Sequence, residues 1–414
     1  MKIVIIGGGV IGLSCAYYLQ KTGCDITVID KGDLLDGCSY GNAGYVCPSH
    51  FTPLASSGMI AQGVRWMLRS SSPFYVKPRF DLDLFRWGIN FWRAATKPTV
   101  EKNSHSVFGL LKLSRHLTTE MKHDLRETFF MEEKGIIMLY KNADTEKHEL
   151  ELAQKASDFG LATTVLSAEE VQMLEPNVKV NVRGGVLYPG DAHLNPAEFM
   201  TALKKHLLKN GVSFQAHTTV ESFEKRNKKV TAVVTNKGGI DCDELLVAAG
   251  SWLPGLTKML SIQLPLQAGK GYSMTFQGLT RNLQFPSILV DDRVAMTPLQ
   301  SQLRIGGTME IAGINNNVRI KRAEAIFDAA KKCYPDLPIQ FPGKGGVWTG
   351  LRPLSPDGLP YIGRAKKYDN VVVAGGHAML GVSLAAATGK LVSQLIHREP
   401  LTLSINSFEI ERFN

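Results

Sequence analysis

The first thirty residues constrain this chain more than any other stretch. Lys2–Ile6 reads KIVII, a short apolar run rich in β-branched residues, and predicts a buried parallel strand. Gly7-Gly8-Gly9-Val10-Ile11-Gly12 follows at once and matches G-x-G-x-x-G. Leu13–Thr22 then continues with helical character, and Asp25–Ile29 reads as a second strand ending at Asp30. Strand, glycine turn, helix, strand and terminal acid in this order predict a dinucleotide site. Gly7 permits the tight turn, Gly9 lets backbone approach a pyrophosphate, and Gly12 lets the helix pack on the sheet. Val10 and Ile11 open that helix, whose N-terminal N–H groups and partial positive charge suit phosphate. Asp30, with Lys31 beside it, is placed to accept hydrogen bonds from a ribose diol, which argues against a 2′-phosphate. The motif leaves NAD and FAD both open.

A chain of 414 residues predicts two closely packed domains, and 44% hydrophobic with 21% charged residues is ordinary globular composition. No apolar run reaches about eighteen residues, so no transmembrane helix is expected. Nor is a secretion signal, since Lys2–Ile6 leads straight into the fold. The net charge of +9 is carried by scattered residues with no nucleic-acid module among them. A basic enzyme is the plain reading, and attraction to an anionic membrane surface is the alternative. Six cysteines without C-x-x-C or zinc spacing predict reduced thiols, no metal and a cytoplasmic setting.

After Asp30 a loop dense in small residues, Gly32–Ser49, can turn backbone amides toward a flat or anionic ligand. Residues 51–100 hold Trp66, Trp87 and Trp92. Leu84, Trp87 and Phe91 fall at helical spacing, which predicts an amphipathic helix on its own core, with partial insertion at a membrane interface as the alternative. Glu244–Ala248 reads as a buried strand turning at Ala249-Gly250. Near the far end, strand Val371–Ala374, the turn Gly375-Gly376-His377-Ala378-Met379-Leu380-Gly381 and a helix from Val382 form a second strand–glycine–helix unit. Its helix start, near Gly381–Ser383, suits the electronegative edge of a flavin. The alternation predicts an α/β fold: a Rossmann-like layer built from both ends of the chain, and an α+β second domain with a mostly antiparallel mixed sheet. We assign residues 1–50, 193–260 and 343–414 to the first, and 51–192 and 261–342 to the second.

GGGVIG, Asp30, Ser39-x-x-Asn42-Ala43-Gly44, VAAGSW, GLRPLSPDGLPYIG and GGHAMLG together resemble the FAD-dependent D-amino acid oxidase/dehydrogenase superfamily (the DAO family), over essentially the whole chain. The SxxNAG loop, the PFYVKPRFDLDLFRW stretch, Lys270-Gly271-Tyr272-Ser273 and GLRPLSPDG most resemble the small-subunit type of bacterial D-amino acid dehydrogenase. The resemblance implies FAD as cofactor, with Gly7, Gly9 and Gly12 at the pyrophosphate and Asp30 at the adenosine ribose. Ser39, Asn42, Ala43 and Gly44 would run along the diphosphate and flavin, with Val220 at the adenine. Ala249, Gly250, Trp252 and Gly350 would pass the cofactor, and Gly376, His377, Leu380, Gly381, Val382 and Ser383 would flank the flavin. Sarcosine-oxidase-type members attach FAD through a cysteine at the position of Gly350, and no cysteine lies beyond Cys333, so FAD is expected to be non-covalent.

Arg352, in GLRP, resembles the arginine that grips the substrate α-carboxylate, a task suited to a fork that cannot lose its proton. Tyr272 resembles a strand residue facing the substrate side of the flavin, with Lys270 nearby. His50 and His193 are further candidates for touching substrate. The implied reaction passes the α-hydrogen of a small D-amino acid, or of a D-imino acid such as D-proline or a hydroxyproline, to flavin N5. Electrons then go to a quinone or another respiratory-chain acceptor, with peripheral contact to the inner membrane face left open. Two alternatives stand beside it: an O₂-using oxidase of glycine or sarcosine type, and a non-catalytic flavin-binding electron-transfer subunit.

Overall fold

The computed structural model describes residues 1–35, 37–55, 72–126 and 128–413. Trp66, one of the residues offered for a membrane interface, lies outside them. Six strands form the first sheet, in the order Ser213–Gln215, Asp25–Ile29, Lys2–Ile6, Glu244–Val247, Val371–Gly375 and Tyr361–Arg364. All pair in parallel except the last, which is an antiparallel edge. Both faces are covered, so these strands read as unbroken apolar runs, and period 2 sorts them. Ile3, Ile5, Val28, Leu246 and Val372 pack against the helices Val10–Gln20 and Gly381–His397. Val4, Ile6, Ile29, Leu245, Val247, Val371 and Val373 pack against Val220, Phe223, Val230 and Val233 of a three-stranded meander.

The second sheet is larger, mixed and mostly antiparallel. Its strands run Trp348–Leu354, Gln267–Phe276, Gln302–Ile311, Val294–Leu299, Ser287–Leu289, Ile136–Tyr140, Gly184–Tyr188 and Thr164–Ser167, with Phe74–Val76 paired to Gln302–Ile311. The same alternation divides its faces. Ile137, Leu139, Leu289, Val294, Met296, Ile305, Tyr272 and Met274 face the helix Ile320–Cys333. Met138, Tyr188, Val290 and Ala295 face the opposite way, toward the first sheet's layer. The Trp348–Leu354 strand was grouped by sequence with residues 343–414, yet it is hydrogen-bonded into this second sheet along Gln267–Phe276. The chain therefore crosses between the layers within the GLRP segment itself.

The Leu82–Ala94 helix forms as its spacing predicts, with Asp81 at its N-cap accepting from Asp83 N (3.0 Å) and Leu84 N (3.1 Å). Trp87 is buried, stacks on Phe91 and donates Nε1–H to Leu354 O at 2.9 Å. Phe85 and Trp92 point outward, each 67% exposed. No helix among the described residues is long and apolar enough to cross a membrane. Among the described residues the six cysteines form no disulfide.

Candidate active site

A continuous cavity of about 1390 Å³ runs from the N-terminal glycine turn, between the two sheets, to the far edge of the larger one. At the first end its wall is Gly7, Gly9, Val10, Ile11, Asp30 and Lys31, joined by Val220, Ala249, Gly250 and Trp252. Gly7 has φ +112°, and a Cβ there would stand 2.5 Å from Ala248 O, so the turn out of the first strand requires glycine. A Cβ on Gly9 would instead meet nothing closer than Ser39 Oγ at 3.6 Å, which leaves the helix start open to a ligand. Asp30 accepts from Gly8 N (2.7 Å) and Gly32 N (2.8 Å) and so ties the two turns together. Lys31 Nζ lies 3.6 Å over the Trp252 ring.

The middle of the cavity is walled by Ser39, Asn42, Ala43 and Gly350, and by His377, Leu380, Gly381, Val382 and Ser383. Arg304, which the sequence reading did not single out, and several polar groups beside it hold this part together. Arg304, buried, donates Nη1–H to Tyr40 O (2.9 Å) and Asn42 O (2.7 Å), and Ser273 Oγ donates to Gly41 O (3.1 Å). Leu351 N donates to Cys38 Sγ at 3.2 Å, and Ser383 Oγ donates to Tyr45 O at 2.6 Å. The small-residue loop is thus fastened to the second sheet on one side and to the C-terminal helix on the other. Burial lowers the Arg304 guanidinium to about 10, so it remains charged at neutral pH. His377 is buried with Nε2 2.9 Å from Thr388 Oγ1, and burial lowers it to about 3, which keeps it neutral.

Arg352 reaches the cavity from Trp348–Leu354 and donates Nη1–H to Thr308 O at 2.5 Å. That is its one side-chain hydrogen bond among the described residues, and the rest of the fork faces the cavity. Desolvation brings it down to about 10 without removing its charge. His50 also lines the cavity, its Nδ1 3.2 Å from Ser49 Oγ. Desolvation first, then the Arg293 charge, lowers it to about 4, so it is a neutral imidazole.

Five of the sequence-derived positions stand elsewhere. Gly12, Gly44 and Gly376 back the wall instead of forming it: a Cβ on Gly12 would lie 1.9 Å from Gly7 O, and one on Gly44 2.0 Å from Leu194 O. His193 is fully buried with Nε2 3.0 Å from Pro298 O, away from the cavity. Lys270 is buried on the other face of the second sheet, donating to Asn315 Oδ1 and Asn317 O, both at 2.6 Å, and 3.4 Å from Glu310 Oε1.

Tyr272 lines the cavity, yet its hydroxyl does not turn into it. Its strand borders the cavity, but its hydroxyl donates to Glu310 Oε2 at 3.0 Å and accepts from Arg319 N at 3.3 Å. The reason is the pleat. Gly271 faces Arg352, so the residues on either side of it must face the helix layer. Sequence reading missed three polar groups on the cavity wall: Arg293, Glu149 and, through Ser49, the buried Asp191. No motif surrounds them, and only the packing of helix, sheet and turn brings them to one wall. Among the described residues no group of three or more His, Cys, Asp or Glu side chains could hold a metal ion.

A glycine-rich βα turn feeding one end of a cavity, roofed by a mixed sheet that carries a free arginine, defines a dinucleotide-dependent oxidoreductase of the two-layer α/β type. The chain belongs to the DAO family of FAD-dependent oxidoreductases: the family model described as "FAD dependent oxidoreductase" matches residues 2–395. A D-amino acid dehydrogenase of Helicobacter pylori is 32% identical over 400 residues, covering 95% of this chain and 94% of the relative. One from Granulibacter bethesdensis is 30% identical over 406 residues, 96% of each chain. Among solved structures, glycine oxidase from Geobacillus kaustophilus superposes with a TM-score of 0.80 at 21% identity, over 99% of this chain and 98% of that one. FAD is therefore the cofactor. The open approach at Gly9, the helix start beside it and a cavity long enough for a dinucleotide fit that group.

Proposed function

We propose that this protein oxidises a small D-amino or D-imino acid and delivers the electrons to a quinone or another acceptor. The observation that carries the reading is Arg352, a charged guanidinium with one hydrogen bond, opening onto the cavity over Gly271. Such a fork pairs bidentately with a carboxylate. Gly7, Gly9, Val10, Ile11 and Asp30 would hold the AMP and pyrophosphate half of FAD. The loop Ser39–Gly44 and the Gly376–Ser383 turn would hold the flavin. Bound FAD supplies a two-electron acceptor for the α-hydrogen. The protein's own part is alignment: Arg352 fixes the carboxylate, the pinned 38–44 loop keeps the wall rigid, and the two layers exclude water. His50 and His377 are neutral, so neither competes with Arg352 for the carboxylate. Names of relatives similar over nearly the whole chain support D-amino acids as the substrate class.

Anaerobic bleaching of the flavin spectrum against D- and L-amino and imino acids tests the reading. D-forms should bleach the wild type, with dye reduction but little peroxide when air is admitted. Arg352→Ala should lower kcat/KM roughly thirtyfold or more, the cost of leaving a carboxylate without its buried partner. Bleaching by L-forms alone, or equal rates in the Arg352→Ala protein, would overturn the assignment.

A further inference from the structure

Two ionisable side chains line the cavity beyond Arg352, and among the described residues no hydrogen bond or ion pair joins them. Glu149, on the Ala143–Asp158 helix, is 4% exposed and lines the cavity beside Tyr188. Arg293 lines it from the turn leading into Val294–Leu299. Among the described residues neither side chain makes a hydrogen bond within 3.5 Å or an ion pair within 4.0 Å. The Arg293 charge nonetheless acts on Glu149 and on His50. A carboxyl this buried without a partner is costly, and native structures rarely leave one so unless something else completes it.

The register places the pair relative to Arg352. Ala295 is opposite Gly306, and Gly306 is opposite Ser273 on the next strand. Arg293, two residues before Ala295, lies two strands from Gly271, which is roughly 10 Å at about 4.8 Å per strand. The Arg352 guanidinium already lies over Gly271, so a small substrate and the Arg293 side chain together bridge this interval. A guanidinium only donates, while burial raises Glu149 from 4.5 to about 7, so near neutrality its carboxyl both accepts and donates. A side-chain ammonium would be repelled by Arg293, and a side-chain carboxylate by Glu149 in its ionised form. A hydroxyl or carboxamide both donates and accepts, and satisfies the two at once.

We infer that Glu149 and Arg293 form a second polar subsite that holds a side-chain hydroxyl or carboxamide of the substrate. The enzyme then selects D-amino or D-imino acids that carry such a group over counterparts that lack it. This rests on the proposed function above, since it describes the distal end of the same substrate site.

Matched substrate pairs test it on the FAD-loaded protein under anaerobic conditions: 4-hydroxy-D-proline against D-proline, and D-asparagine against D-norvaline. In the wild type the polar member of at least one pair should have kcat/KM tenfold or more above its partner, mostly through KM, because the apolar member leaves the buried Glu149 carboxyl unpaired. In Arg293→Leu and in Glu149→Leu that ratio should fall to within about threefold of one. Bound FAD, read from the visible spectrum, shows that each variant is folded, and Arg293, on an exposed turn, decides alone if Glu149→Leu fails to accumulate. Equal kcat/KM within both wild-type pairs overturns the subsite, and so does an unchanged ratio in flavin-loaded Arg293→Leu. Bleaching by no amino or imino acid would instead overturn the proposed function, so the two failures are distinguishable.

Discussion

Gly271 stands directly under the Arg352 guanidinium: a Cβ on Gly271 would lie 2.1 Å from Nη1 and 2.4 Å from Cζ. The two strands that carry them pair antiparallel, with Gly269 opposite Arg352 and Gly271 opposite Gly350. Glycine at 271 is therefore what lets the arginine lie flat on the sheet and present its free edge to the cavity. Gly271→Ala should leave the strand intact, because the atom it meets is the end of a flexible side chain. The guanidinium must move by more than an ångström, which is worth about a hundredfold where alignment does the chemistry. We expect kcat/KM for the best amino acid to fall roughly ten- to a hundredfold with FAD content unchanged. Steady-state kinetics beside the visible spectrum checks this, and an unaltered kcat/KM would refute it.

Tyr272→Phe should behave oppositely. Its hydroxyl serves Glu310 on the helix side of the sheet, where Lys270 and Arg319 also approach that carboxylate, Arg319 Nε at 3.3 Å. Removing one hydrogen bond to a charged group should cost about 1–2 kcal/mol of stability. Turnover should stay within about threefold of wild type, measured on the same substrate as for Gly271→Ala. A loss of kcat beyond tenfold with normal stability would return Tyr272 to the chemistry.

Asp191 makes folding stability depend on pH. It is buried and accepts from Ser49 N (3.1 Å) and Ser49 Oγ (2.5 Å), but desolvation outweighs both bonds and raises it from 3.8 to about 7. Between those values the folded protein keeps a proton that the unfolded chain has released. Native stability therefore falls as pH rises across that window. The contribution is at most about 4 kcal/mol, at 1.36 kcal/mol per pKa unit. Asp191→Asn should be about as stable as wild type near pH 4 and clearly more stable near pH 8. Urea midpoints with saturating FAD at both pH values test this; parallel pH profiles for the two proteins would count against it.

FAD removal should destabilise the protein by mass action. Cofactor at a hundred times its Kd contributes about 2.7 kcal/mol, lost on dialysis into flavin-free buffer and regained on adding FAD back. No cysteine lies beyond Cys333, so nothing in the GLRP segment can tether the flavin covalently. Flavin that stayed with the chain after acid denaturation and desalting would contradict this.

Local chemistry made much of this molecule legible from its sequence. The KIVII strand, the G-x-G-x-x-G turn and Asp30 predict their own structure, because neighbouring residues dictate turn, helix start and strand end. The amphipathic Leu82–Ala94 helix and the second strand–glycine–helix unit at Val371–His397 likewise follow from residues close together in the chain. Arg352 was legible too, through the GLRP motif around it.

What the tertiary structure alone decided is which face each side chain takes and which distant groups meet. Lys270 and Tyr272 sit beside a motif, but strand alternation turns them to the helix layer once Gly271 is set under Arg352. His193 falls in a short strand paired with Tyr45–Val46, which buries it off the cavity. Arg304 meets the 38–44 loop, and Glu149 from its helix shares the far wall with Arg293, only through packing across more than a hundred residues of chain. Sequence spacing carries no record of such pairings, and for the strand residues a one-residue change of register would send each side chain to the other face.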